Sequence, residues 1–110
     1  MKIRDKLYSI NNKTISKSVN IDDVLYEEIK KLTLEVYDAK ISDVINIAIE
    51  EYIERNNPNF YGKLENETVT YRNLMLREDN IKKLNDYHKR TGISFTRLVN
   101  GAIKEFLDNK

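Results

Sequence analysis

The chain has 110 residues, 40% of them apolar and 34% charged, with no cysteine and a net charge of only +1. That length allows one compact domain or two very small ones, and the lack of cysteine excludes a disulfide framework and a thiolate zinc site. The opening MKIRDKLYSI is too charged for a secretory signal, and the longest apolar stretch, residues 44–49, is broken by Asn46 and too short to span a bilayer, so a cytoplasmic protein without membrane contact is expected.

Residues 1–13 carry four basic groups and one acidic group and read as a basic N-terminal arm. Residues 14–55 follow as a first unit with five basic and ten acidic groups. It opens with KSVNID, residues 17–22, where Val19 and Ile21 alternate with polar neighbours at strand spacing. A helix is predicted next, from Val24, Leu25, Ile29, Leu32 and Val36, with Asp22 and Asp23 at its electropositive start. A second helix is predicted from about Ser42 to Arg55, with a stripe of Val44, Ile45, Ala48, Ile49, Tyr52 and Ile53. Residues 56–67, with Pro58, Gly62 and several asparagines, read as a linker, with Phe60 and Tyr61 as candidate anchors onto the core.

Residues 68–110 repeat the order with nine basic and five acidic groups. TVTYRNLML places Leu74 and Leu76 on one strand face, with Asn73 and Met75 on the other. A helix carrying Ile81, Leu84 and Tyr87 ends at Gly92, a residue suited to a left-handed cap. Ser94 or Thr96 opens the last helix, whose stripe is Leu98, Val99, Ala102, Ile103, Phe106 and Leu107. Moved back 54 positions, Asn100, Ala102, Ile103 and Glu105 fall on Asn46, Ala48, Ile49 and Glu51. Ile21 to Ser42 spans 21 steps whereas Leu76 to Thr96 spans 20, so the first unit holds one extra residue, expected near the turn at residues 38–40. The identical IKKL at 29–32 and 81–84 then lies out of register.

A lone strand needs a partner for its backbone groups, and each apolar helix stripe needs a cover. A second copy of the unit supplies both. The expected fold is therefore mostly α with a short two-stranded antiparallel β-ribbon, in β-α-α-β-α-α order around a shared core. The strand, the helix, the turn of Gly92, Ile93, Ser94 and Thr96, and the apolar helix together resemble the ribbon-helix-helix fold of the CopG, Arc and MetJ class. The resemblance covers roughly 80 residues; two copies in one chain are similar to the tandem arrangement of TraY, and the first copy departs by its extra residue and missing glycine. It implies double-stranded DNA as partner, with the ribbon inserted in the major groove.

With Val19, Ile21, Leu74 and Leu76 inward, the outward residues are Ser16, Ser18, Asn20, Tyr71, Asn73 and Met75, with Arg77 just beyond. Asparagine pairs two ways with adenine, arginine two ways with guanine, and Met75 or Tyr71 suits a thymine methyl. A merely solvated polar face is the alternative; exposed Met75 and Tyr71 argue against it. The resemblance further implies phosphate contacts at the start of each second helix, at Lys40 and Ser42 and at Ser94, Thr96 and Arg97. Plain N-capping is the other reading of Ser94 and Thr96, and Asp43 stands where the second copy has Arg97. Lys2, Arg4 and Lys6 either track the DNA backbone or are simply solvated.

His88 stands alone and reads as a surface residue; no metal-ligand spacing, nucleophile motif or phosphate loop appears, so neither a cofactor nor an enzyme is expected. A helix-turn-helix is disfavoured because residues 98–107 carry six apolar positions, which suits a core helix. The expected function is a sequence-specific DNA-binding protein, a transcriptional repressor or plasmid-type regulator. The alternative is an adaptor, antitoxin or relaxosome accessory whose acidic first unit binds a protein partner; self-association of the chain is a separate expectation.

Overall fold

Strand periodicity and helical stripes produce seven elements in chain order: β1 (Thr14–Asp22), α1 (Asp23–Leu32), a π-helical turn (Thr33–Tyr37), α2 (Ile41–Glu54), β2 (Val69–Arg77), α3 (Glu78–Thr91) and α4 (Phe95–Asp108). They come from a computed structural model that describes residues 13–37, 40–55 and 68–109. The expected arm residues Lys2, Arg4 and Lys6 and the linker anchors Phe60 and Tyr61 lie outside the described residues.

The expectation of two ribbon-helix-helix units in tandem is overturned. The described residues form one two-stranded antiparallel ribbon and four α-helices around one core, a single ribbon-helix-helix-like motif. β1 pairs with β2 along the whole length of both strands, from Thr14 opposite Arg77 to Asp22 opposite Val69. The core draws on every α-helix and both strands, with Ile21, Ile29, Ile45, Ile49, Leu74, Leu76, Leu84, Leu98 and Ile103 almost wholly removed from water. Among the described residues the one sheet and the one core cluster draw on both halves, so the repeated sequence does not delimit separate structural units.

Local chemistry sets the element ends. The Asp22 carboxylate caps α1, accepting from the backbone N–H groups of Val24 at 2.9 Å and Leu25 at 3.3 Å. Gly92 ends α3 at φ 76°, the left-handed conformation that costs glycine little. Ser94, not Thr96, caps α4, its hydroxyl accepting from the Arg97 N–H at 3.2 Å. The extra residue of the first half is expected near residues 38–40, of which 38 and 39 lie outside the described residues; just before them Thr33–Tyr37 form a wider π-helical turn. Thr33, buried in that turn, donates its hydroxyl to the Ile29 carbonyl. Of the stripe predicted for the first helix, Leu25 and Ile29 are buried and Leu32 is half-buried, but Val24 and Val36 face solvent. IKKL is indeed out of register, since Ile29 is core and Ile81 only half-buried.

Two buried asparagines lock the halves together. Asn46 in α2 donates to the Met75 carbonyl at 2.9 Å and accepts from the Arg77 N–H at 2.8 Å. Asn100 in α4 donates to the Asn20 carbonyl at 3.0 Å and accepts from the Asp22 N–H at 2.9 Å. Each also donates to the carbonyl four residues earlier, Ser42 or Thr96, at 2.8 Å. Each helix thus holds the strand of the opposite half by its outer edge through three matching bonds, and Asn46 accepts a further one from the Asn80 amide at 3.1 Å.

Losing one clamp leaves a buried N–H and a part-buried carbonyl without that partner, the buried group costing about 1–3 kcal/mol and the carbonyl less. Asn100→Ala is therefore expected to lower stability by about 2–4 kcal/mol in urea unfolding. A loss under about 1 kcal/mol would show that the strand edge does not depend on Asn100.

Candidate nucleic-acid interface

Antiparallel pairing puts directly opposed residues on the same face. Ser16 lies opposite Met75, Ser18 opposite Asn73 and Asn20 opposite Tyr71, so the ribbon's outer face carries three cross-strand pairs in a row. All six residues are exposed, Tyr71 at 69% and Met75 at 47%. Large side chains are therefore held in water by the burial of Val19, Ile21, Leu74 and Leu76 on the other face. The centre of the outer face is a hydrogen-bonded group: the Asn73 side-chain carbonyl accepts from the Ser16 hydroxyl at 2.7 Å and from Ser18 at 3.3 Å. These six side chains carry no charge, so none of them repels a polyanion.

Arg77, the seventh residue expected here, is placed elsewhere. It is 4% exposed and ion-paired with Glu50 of α2. The strand's last residue is drawn inward by the same turn that lets its N–H reach Asn46, and a guanidinium so enclosed is not available to a base edge. Arg72, on the inner face opposite Val19, is likewise engaged: its guanidinium centre lies 3.5 Å from the centroid of the Tyr26 ring, and it is 3.3 Å from Asp23.

The first turns of α2 and α4 flank the ribbon, one at each edge. α2 meets β2 where the Ser42 hydroxyl accepts from the Met75 N–H at 3.2 Å. α4 meets β1 where Asn100 bridges the Thr96 and Asn20 carbonyls. The expected phosphate-contacting residues thus fall into two clusters. Lys40, exposed, and Ser42 stand at the β2 edge; Ser94, Thr96 and Arg97 stand at the β1 edge, with Ser94 and Arg97 exposed and Thr96 half-buried. Lys40 occupies the cap position of α2 with no side-chain cap bond, and Asp43 follows in that first turn. Lys17 adds a cation near the α4 start, 5.2 Å from the Phe95 ring centroid.

The ribbon's far end is tied to α1. The Thr68 and Thr70 hydroxyls donate to the Asp23 carboxylate at 2.5 and 2.6 Å, and these bonds, with Arg72, hold its pKa below the ordinary 3.8 despite some desolvation. In the core, burial and then the neighbouring Glu105 and Tyr87 push the Tyr52 hydroxyl up to about 12. His88 is exposed, its Nδ1 2.9 Å from the Ile93 carbonyl. Among the described residues, no group of three or more potential ligands could hold a metal, and no helix is long and apolar enough to cross a membrane.

Sequence reasoning missed the two residues that position the ribbon, Asn46 and Asn100. Their signal was present: each is the polar residue inside an otherwise apolar stripe, and the two coincide under the 54-position shift. Scanned against protein-family models, curated proteins and solved structures, the chain gives no significant match.

A carboxylate whose folded pKa is depressed adds stability that is complete above its unfolded value and lost as pH falls through the folded one. The stability difference between wild type and Asp23→Asn is thus expected at neutral pH and should vanish below the ordinary carboxylate range. Undiminished at about pH 2, it would show that Asp23 acts other than through its charge.

Proposed function

We propose that the chain is a cytoplasmic DNA-binding regulator, of repressor or plasmid type, that reads double-stranded DNA by laying the ribbon's outer face in the major groove. One observation carries the reading: six uncharged, exposed side chains line a single face of a two-stranded ribbon, and a helix start lies against each edge of that ribbon. A two-stranded ribbon is of a size that the groove, about 12 Å wide, admits. Helix starts beside it favour phosphate oxygens, through free N–H groups and the helix dipole.

Roles follow from chemistry. Asn73 and Asn20 present amides suited to adenine, Ser16 and Ser18 adapt to donors or acceptors, and Tyr71 and Met75 suit thymine methyl groups. Lys40, Ser42, Ser94, Thr96 and Arg97 hold backbone phosphates on either side. The β1 set of Ser16, Ser18 and Asn20 differs from the β2 set of Tyr71, Asn73 and Met75, so the two strands read unlike half-sites and the preferred sequence is not a palindrome.

Selection of bound sequences from a random duplex pool is expected to return an asymmetric consensus; no consensus would count against sequence reading. Asn73→Ala should weaken binding to that consensus by about 1–3 kcal/mol and relax preference at one base pair, whereas equal loss on random DNA would make it a non-specific contact. Arg97→Ala should weaken binding on every sequence and flatten the salt dependence by about one unit of slope. An unchanged slope would remove it from the phosphate set.

A further inference from the structure

A groove of about 500 Å³ opens between α1, the π-helical turn and the end of α4, lined by Glu28, Lys31, Leu32, Glu35, Val36, Leu107 and Asp108. Its wall residue Val36 is 57% exposed, and the neighbouring Leu34 is 63% exposed. The position of Leu32 corresponds, 55 residues on, to Tyr87, which is buried and donates its hydroxyl to the Ile53 carbonyl at 3.4 Å. Arg90 lies 4.5 Å from the Tyr87 ring centroid. The two halves thus differ at matching places. The N-terminal half offers apolar surface rimmed by Glu28 and Glu35, with Lys31 and Asp108 beside them, while the C-terminal half buries Tyr87 at the matching place and shows Lys82, Lys83, Lys89 and Arg90 on α3, all exposed. Glu78 and Asp79 occupy the first turn of α3, Glu78 3.9 Å from Lys82, and beyond them residues 83–90 set Lys83, Lys89 and Arg90 against Asp86.

We propose that copies of this chain associate head to tail, the acidic-rimmed groove of one receiving the basic face of α3 from the next. The argument is charge complementarity: residues 14–55 carry ten acidic and five basic groups, and residues 68–110 nine basic and five acidic. Lysine and arginine stems cover apolar surface while their heads stay in water, so Lys83 and Lys89 lay their alkyl chains over Leu32 and Val36 and reach Glu28 and Glu35. A groove-to-groove contact would oppose two acidic rims. The favoured contact therefore joins unlike surfaces of two copies, and the rotation between them sets whether repeating it closes a ring or extends a row. The inference goes beyond the DNA reading and is tested without DNA.

Sedimentation equilibrium of the full chain tests it. In about 10 mM salt, where charges act over about 30 Å, the weight-average mass should rise with concentration above the 13.0 kDa monomer, and it should return to the monomer in about 1 M salt. Two double variants, Glu28→Lys with Glu35→Lys and Lys83→Glu with Lys89→Glu, should each self-associate about tenfold more weakly or worse. Their circular dichroism should match wild type, since all four positions are exposed. Mixing the two sets the basic α3 of one variant against the acidic groove of the other, and the reversed groove against the reversed α3, and should restore association. A wild type that stays monomeric at low salt, variants that associate like wild type, or a mixture that stays monomeric would each overturn the proposal.

Discussion

A ribbon of two strands satisfies only half of its own backbone. Each strand turns alternate N–H and C=O groups away from its partner, and those groups need other acceptors and donors wherever the edge is covered by helices. Here Asn46 and Asn100 supply them from the middle of α2 and α4, each meeting one carbonyl and one N–H on the strand of the other half. An amide side chain is the only uncharged one that offers both a carbonyl acceptor and two donors, which is why an asparagine interrupts both apolar helices. Both amides are almost fully buried, so these bonds are shielded from competing water.

From this constraint the rest follows in order. The clamps fix the height of each strand against the helices, which buries Val19, Ile21, Leu74 and Leu76 and turns Ser16, Ser18, Asn20, Tyr71, Asn73 and Met75 outward. The same bonds bring the first turns of α2 and α4 to the ribbon's two edges. Surface charge then separates the ends, acidic groups toward α1 and basic groups toward α3. The proposed DNA-reading face and the two ends proposed to meet further copies occupy different surfaces of the molecule.

Much of this was legible in the sequence, and the reasons are physical. Two-residue alternation at Val19 and Ile21 and at Leu74 and Leu76 located both strands, and Gly92 marked a helix end because its conformation suits glycine. The outward set on the ribbon could be named because a strand's period leaves two choices and burial decides between them. Three features were hidden. The repeat suggested units, but whether the halves stand apart depends on long-range bonds such as those of Asn46 and Asn100, whose positions the helix stripes mark but whose partners they do not name. Arg77 looked like the next outward residue by alternation, yet the strand ends there and Glu50 draws its guanidinium into the protein. Val24 and Val36 kept helical spacing and still face solvent, since spacing shows which residues share a face and not whether anything covers it.

The central claim is that the asparagine clamps hold the two strand edges, and amide hydrogen exchange reads those edges directly. The N–H groups of Asp22 and Arg77 should exchange only through global unfolding, in step with the slowest amides of α2 and α4. If they exchange instead at the rate of exposed strand amides while the helix interiors stay protected, the clamps do not hold the ribbon and the account fails.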